Sequence, residues 1–260
     1  MSQRRRFVVT GAASGIGDAV ARGLLRDGHQ VVSLDRRAPV AEVSAHLDVD
    51  LGDASSIDAA VDRLDGPWDG LINVAGIPGT HPATRVFAVN FLGFRHLTEA
   101  MAERLDEGGS VVSVSSTAGF RWPSRIDDLA ALLKAKTFQE GAEWFAAYDS
   151  PVSAYSLSKE AVTFYSCRRG LEFARRGLRI NSVLPGPVET PILQDFEKSM
   201  GKEVLDGVKT MFGRHGTPEE IADVVIFLAS QQASWVNGQA VAVDSGISGA
   251  WASHALTPPA

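Results

Sequence analysis

The chain has 260 residues, 45% apolar and 22% charged, with a formal net charge of −6. That length suits one large α/β domain, and the acidic balance argues against a general affinity for nucleic acid or anionic membrane. A single cysteine, Cys167, excludes an intrachain disulfide and points to a reducing, cytoplasmic setting in which the thiol is a half-buried structural group.

Strand-like runs occur at Phe7 to Thr10, Gln30 to Leu34, Gly70 to Val74, Gly109 to Val114, Arg179 to Leu184 and Ala240 to Val243. Helical stretches fall between them at Gly17 to Arg26, Ser56 to Leu64, Ala88 to Leu105, Ala154 to Arg175 and Pro218 to Ser230. Strands separated by helices imply βαβ crossovers and a parallel sheet. The expected fold is a doubly wound, Rossmann-like α/β domain with a seven-stranded parallel sheet, six of whose strands these runs place. With no linker, internal repeat or low-complexity segment, residues 1–260 are expected to form one domain. Arg4, Arg5 and Arg6, ahead of the first strand, read as solvated flanking charges. No run approaches the roughly 20 apolar residues of a membrane-crossing helix, and Phe7 to Thr10 is too short for a signal-peptide core.

The alternation breaks between Phe120 and Ser153, where about thirty residues separate strand from helix, too many for an unstructured connection. A helical insertion over about 121–150 is expected between the fifth strand and the following helix. Its portions Arg125 to Lys136 and Phe138 to Tyr148 have helix-forming composition. Trp122, Leu129, Leu132, Leu133, Phe138, Trp144, Phe145 and Tyr148 supply apolar surface.

Thr10-Gly11-Ala12-Ala13-Ser14-Gly15-Ile16-Gly17 follows the first strand directly and opens a helix. Small residues let the backbone approach a pyrophosphate, and the unpaired amides of a helix N-terminus bind its charge. Gly11, Ser14, Gly15, Ile16 and Gly17 are therefore expected to cradle a dinucleotide. The second strand ends at Asp35, a carboxylate placed to accept bonds from the adenosine ribose and to repel a 2′-phosphate, which favours NAD over NADP. Arg36 and Arg37 follow at once and offer a competing partner for that phosphate, whereas Ser14 in front of Gly15 offers none.

At this point the chain resembles the short-chain dehydrogenase/reductase family, and further matches run in family order along nearly its whole length. Asp50-Leu51 resembles the acid-plus-aliphatic pair that holds adenine, and Asn73-Val74-Ala75-Gly76 resembles the Asn-x-Ala-Gly segment after the fourth strand. Asn90 stands in Val-Asn-Phe-Leu-Gly like the family's helix asparagine, and Ser115-Ser116 ends the fifth strand. Tyr155-Ser156-Leu157-Ser158-Lys159 matches Tyr-x-x-x-Lys, and Pro185 to Pro191 matches the nicotinamide-side loop. The long interval from Ser116 to Tyr155 is similar to the 3α-hydroxysteroid dehydrogenase and coniferyl-alcohol dehydrogenase branch. Gly76 to Thr80, Arg121-Trp122-Pro123 and Trp235 to Gly238 lean toward its coniferyl-alcohol side.

The resemblance implies hydride transfer between a nicotinamide and an alcohol or ketone, with Asn90, Ser116, Tyr155 and Lys159 as catalytic residues. The chemistry suits the residue types. A base must take the hydroxyl proton as the hydride leaves. An unperturbed tyrosine, pKa about 10, needs a nearby cation for that task. Lys159, four residues on, shares a helix face with Tyr155. Ser116, at the carboxyl end of a strand, is expected to bond the substrate oxygen, and Ser115 to face the other way. By resemblance Asn90 holds a water linking Lys159 to solvent. Ala75 and Gly76 join the cofactor set, and Pro185-Gly186 turns Val188 and Thr190 over the nicotinamide.

Gln194 to Phe212, with Gly201 and Gly207, reads as a substrate lid. Trp122 and Trp144 in the insertion, with Ile192, Leu193 and Phe196, suggest a bulky apolar or aromatic alcohol. No histidine spacing indicates a metal, and His215 and His254 read as surface residues. The partners expected are this small molecule and, by resemblance, further copies of the chain as a dimer or tetramer. Two rival readings stand beside the dehydrogenase. One is another reductase or dehydratase chemistry, against which the short Tyr155 to Lys159 spacing counts for enoyl reduction. The other is a non-catalytic nucleotide sensor, which would have lost at least one of the four catalytic residues.

Overall fold

Runs of valine, isoleucine and leucine form the strands of a computed structural model that describes residues 4–200, 207 and 209–257. The elements are β1 (Arg6–Thr10), α1 (Gly15–Arg26), β2 (Gln30–Asp35), β3 (Ala45–Asp48), α2 (Ala54–Val61), β4 (Trp68–Asn73), α3 (Ala83–Phe87) and α4 (Phe94–Ala102). There follow β5 (Leu105–Val114), α5 (Ile126–Leu132), α6 (Phe138–Ala147), α7 (Ala154–Arg175), β6 (Arg179–Pro185), α8 (Leu193–Met200), the helix Pro218–Ala229, β7 (Ala240–Val243) and the helix Ile247–Ala252. The seven strands are all parallel in the order β3-β2-β1-β4-β5-β6-β7. Strand order reverses at β1, with β2 on one side and β4 on the other, so the crevice past Thr10 and Asn73 lies where such sheets bind ligands.

Each face of the sheet is covered. α1 and the helix Pro218–Ala229 bury Val20, Leu24, Ile221, Val225 and Leu228 against Phe7, Val9, Ile72 and Val112. α2, α4 and α7 bury Ile57, Leu97, Met101, Leu157 and Tyr165 against Val8, Leu71 and Val111 on the other face. The strand the sequence left unplaced is β3, a four-residue edge strand in which Leu47 alone is buried. The helix expected from Ala88 starts earlier, at Ala83 behind Pro82, and runs as a π-helix through Ala88–Gly93 before α4 resumes.

The insertion forms α5 and α6, and its apolar side chains turn into the protein. Leu129 and Leu132 are fully buried, Phe145 stacks on Phe87 at 4.2 Å and 9°, and Trp122 packs on Phe164 with centroids 5.8 Å apart. Arg125 grips Glu160 of α7 through Nε and Nη2 at 2.5 and 2.6 Å. Two readings need correction. Arg5 and Arg6 are engaged rather than solvated: Arg5 bonds Asp69 and the Ala229 carbonyl, and Arg6 lies 4.2 Å over the Trp68 ring. His215 is buried, whereas His254 lies at the surface. Of the expected lid, α8, Gly207 and residues 209–212 are described, while 201–206, Gly201 among them, and 208 lie outside the described residues. Among the described residues no helix is long and apolar enough to cross a membrane.

Candidate active site

A cavity of about 550 Å³ opens at the carboxyl ends of β1, β2, β4, β5 and β6. At one end, Gly11 and Gly15 adopt left-handed φ of 72° and 56°. A Cβ on Gly11 would come within 2.8 Å of the Ala75 backbone, and one on Gly17 would strike the Gly11 carbonyl. Only glycine closes this turn. Ser14 caps α1 in extended geometry without a side-chain bond to the helix amides, and the first helical bond runs from Asp18 N–H to the Ser14 carbonyl. The Gly15, Ile16 and Gly17 amides thus have no partner within the helix, the arrangement that binds anions. Gly11, Ser14, Gly15 and Ile16 line the cavity, and Gly17 packs beneath them.

Asp35, at the end of β2, accepts from the Ala13 amide at 3.0 Å and the Arg37 amide at 3.0 Å, which fixes its carboxylate at the cavity edge. Arg36 lines the same edge. Arg37 folds back to Ser14 Oγ at 3.4 Å, so a guanidinium stands where Ser14 itself supplies no charge. Further along, Asp50 and Leu51 line the wall, and Asp50 bonds the Gly52 amide at 2.8 Å. Burial raises the Asp50 carboxyl pKa, but the Gly52 amide and the Arg85 guanidinium outweigh it and hold the group below its ordinary value.

At the opposite end, Tyr155, Lys159 and Ser116 converge. Tyr155 and Lys159, one helical turn apart on α7, are 8% and 5% exposed. Lys159 Nζ donates to the Val114 carbonyl at 3.1 Å and lies 5.7 Å from the Tyr155 ring centroid. Burial pushes the phenol up to about 12, countered by its hydrogen bond with Ser116, and pulls the ammonium down to about 8. Ser116 also accepts from the Ala118 amide at 3.1 Å, which holds the hydroxyl at the end of β5. Ser115 also borders the cavity, but its hydroxyl is taken up within the protein, bonding the Lys159 carbonyl at 2.7 Å and Thr163 Oγ1 at 2.8 Å.

Asn90 sits in the π-helical stretch directly behind this cluster. Its Oδ1 accepts from the Ile77 amide at 2.8 Å, and its Nδ2 donates to the Ile77 carbonyl at 3.0 Å and to Ser158 Oγ at 3.3 Å. A Cβ on Gly76 would lie 3.3 Å from Asn90 Oδ1 and 3.5 Å from Lys159 Nζ, so both groups converge over that glycine. π-Helical turns of this kind recur at functional sites because they re-aim one side chain within a helix.

Pro185, Gly186, Val188 and Thr190 form the facing wall. This loop is stitched down by the Gly216 amide to the Pro187 carbonyl at 3.0 Å and the Glu189 amide to the Gly216 carbonyl at 2.9 Å. Thr190 Cγ2 would lie 3.1 Å from a Cβ on Gly15, so the loop closes directly over the glycine turn. Ile192, Leu193 and Phe196 complete the wall beside Tyr155, with the Phe196 and Tyr155 centroids 5.1 Å apart. Three expected residues lie elsewhere. Asn73 points into the protein, bonding Thr98 at 3.1 Å and Ser113 at 3.5 Å, and so joins β4 to α4 and β5. Trp122 packs on α7, and Trp144 stacks on Tyr148 at 4.6 Å, both away from the cavity wall. Ile77, His81 and Arg85 line the wall without having been expected there. No local pattern marks Arg85, whose partner Asp50 is 35 residues away.

The cavity volume lies within the usual range for cofactor sites, and a side chain at any of the three glycines would fill the cradle. These residues fit a dinucleotide with its diphosphate at the head of α1 and one end beside Tyr155. Residues 5–126 match the family profile described as short chain dehydrogenase, and 141–248 the one described as enoyl-(acyl carrier protein) reductase. The chain therefore belongs to the short-chain dehydrogenase/reductase family of oxidoreductases, as full-length relatives also show. A coniferyl-alcohol dehydrogenase of a Pseudomonas species is 37% identical over 245 residues, spanning 94% of this chain and 96% of that protein. A 3-alpha-hydroxysteroid dehydrogenase/carbonyl reductase of Comamonas testosteroni is 33% identical over 248 residues, spanning 93% and 95%. Among solved structures, the 3-alpha-hydroxysteroid dehydrogenase from Pseudomonas sp. B-0831, complexed with NADH, matches at TM-score 0.80 and 32% identity, covering 97% of this chain and 100% of that one.

Proposed function

We propose that this chain is an NAD-dependent dehydrogenase that oxidises a bulky apolar or aromatic alcohol, or reduces the corresponding ketone or aldehyde. One observation carries the reading: the Tyr155, Ser116 and Lys159 cluster stands in the same cavity as the glycine cradle and Asp35. When bound, the nicotinamide supplies the hydride acceptor. The protein's own groups handle the proton. Tyr155 Oη takes the hydroxyl proton as the carbinol hydride departs, and returns it in reduction. Ser116 donates to the substrate oxygen and stabilises its developing charge. Burial alone opposes a phenolate at Tyr155, so the base depends on the Ser116 bond and on a protonated Lys159. Asn90, held at both polar atoms, keeps the Ile77 strand of backbone beside Lys159.

Asp35 supports NAD over NADP, since its carboxylate is anchored by two amides at the site a 2′-phosphate would enter. Ile77, Ile192, Leu193 and Phe196 offer an apolar wall beside Tyr155, which suits aryl alcohols or hydroxysteroids such as those named for the relatives. A homo-oligomer belongs to the same reading, supported by Leu171 and Trp235, which are 66% and 98% exposed. The test follows NADH absorbance with NAD and, separately, NADP across coniferyl and benzyl alcohols, hydroxysteroids and simple secondary alcohols. Reduction of NAD by one bulky class is expected. Silence across the panel from protein that binds NADH would overturn the substrate assignment.

A further inference from the structure

Past Asp35 the cavity continues into a slot whose floor is Val49, Leu51 and Val89, at 2%, 7% and 7% exposure. Its edge is polar, formed by Asp50 and Arg85. Arg85, on α3, reaches over so that Nη2 lies 2.6 and 2.8 Å from the two Asp50 oxygens. The Gly52 amide holds Oδ1 from the other side at 2.8 Å. Gly52 is itself shaped to this contact, because a Cβ there would collide with Arg85 Nη1. A carboxylate gripped at both oxygens cannot rotate, and its remaining lone pairs keep one direction. An apolar slot beyond a ribose site, edged by a fixed carboxylate, suits a flat heterocycle with an exocyclic amine.

We infer that Arg85 is a positioning residue for the purine of the dinucleotide: it fixes Asp50 as acceptor for the adenine amine while the apolar floor takes the ring. The inference rests on the dinucleotide reading above and adds a residue to it. Arg85 touches no reacting atom and acts through Asp50. The pair is partly exposed, with side chains 32% and 38% accessible, so its contribution lies in orientation more than in ion-pair strength. A purine with an oxo group in place of the amine would set a carbonyl against the fixed carboxylate and bind less well.

Fluorescence titration with NADH, with reduced nicotinamide mononucleotide, which lacks the adenosine, and with reduced nicotinamide hypoxanthine dinucleotide tests this. Arg85→Ala is expected to raise the Kd for NADH about tenfold, the loss of roughly one hydrogen bond to a charged group. It should leave the mononucleotide Kd unchanged and shrink the preference for adenine over hypoxanthine. Arg85→Lys keeps the charge without the planar grip and should fall between the two. An unchanged NADH Kd in Arg85→Ala, or a mononucleotide Kd raised by the same factor, would overturn the inference while leaving the dinucleotide reading in place. Wild-type protein that binds no NADH would overturn both.

Discussion

Replacing Lys159 by methionine tests the electrostatics of the site through stability. Burial lowers the Lys159 pKa from 10.5 to about 8. Between those values the unfolded chain holds a proton that the folded chain has lost, so wild-type stability rises with pH across that window. Below about pH 8 the lysine is charged in both states, and burying that charge costs about 3 kcal/mol, at about 1.4 kcal/mol per tenfold change in proton affinity. Methionine removes the charge but also the charged Nζ bond to the Val114 carbonyl, worth about 1.5 kcal/mol. Lys159→Met should therefore be the more stable protein near neutral pH by about 1.5 kcal/mol, or about 3–6 °C in Tm. The gain should fade as pH rises from about 8 toward 10.5 and end as a small loss above it. Tyr155, pushed up from 10.0 to about 12, adds its own pH dependence only above about pH 10, and does so in both proteins. Urea unfolding followed by tryptophan fluorescence, repeated from about pH 6 to about pH 11, measures the difference. A variant less stable than wild type near neutrality, or a gain that stays constant through the window, would refute the reasoning.

Three further outcomes are expected. Tyr155→Phe should lower kcat by about a thousandfold in steady-state assays while NADH binding by fluorescence is unchanged, since the proton carrier is lost and the cradle is intact; retained turnover would remove Tyr155 from its role. Asp35→Ala should lower the ratio of kcat/KM with NAD to that with NADP, because the carboxylate is gone while Arg37 remains at Ser14; a ratio that does not move would shift cofactor choice to Arg36 and Arg37. Arg125→Ala should cost about 3–5 kcal/mol in urea unfolding, because Glu160, whose side chain is 1% exposed, is left as an unpaired buried carboxylate. The double variant Arg125→Met with Glu160→Leu should recover most of that loss, and a single variant with wild-type stability would show the pair to be dispensable.

What was legible in the sequence shares one property: its signal is local. The cradle could be read because Gly11, Gly15 and Gly17 fall at the exit of a strand, where each missing Cβ has a backbone reason. Tyr155 and Lys159 could be read because helix periodicity alone puts them on one face. β3 escaped because Leu47 alone among its four residues is buried, too little for an alternating pattern. The π-helical stretch around Asn90 has no propensity signal and shows only in the bonds to Ile77. Asn73 illustrates the converse: its segment matches a family pattern, yet its side chain turns inward to Thr98 and Ser113. The Asp50 and Arg85 contact joins residues 35 apart, which composition and periodicity do not register.

The insertion and α8 divide the labour around the cavity differently from what aromatic content suggests. An apolar side chain in a surface segment satisfies the hydrophobic effect wherever water is excluded, and sequence does not say on which side that is. Here Leu129, Leu132 and Phe145 are drawn into the α4 and α7 layer, and the Arg125 to Glu160 pair fixes the segment to the catalytic helix. Trp122 and Trp144 follow that docking and point away from the substrate end. The wall beside Tyr155 is left to Ile192, Leu193 and Phe196, in a helix where no residue from Leu193 to Ser199 is fully buried. A helix held by so few buried contacts can shift at little energetic cost, whereas the docked insertion cannot. On the proposed dehydrogenase reading, substrate selection falls to Ile192, Leu193 and Phe196, and the insertion backs the helix that holds Tyr155 and Lys159.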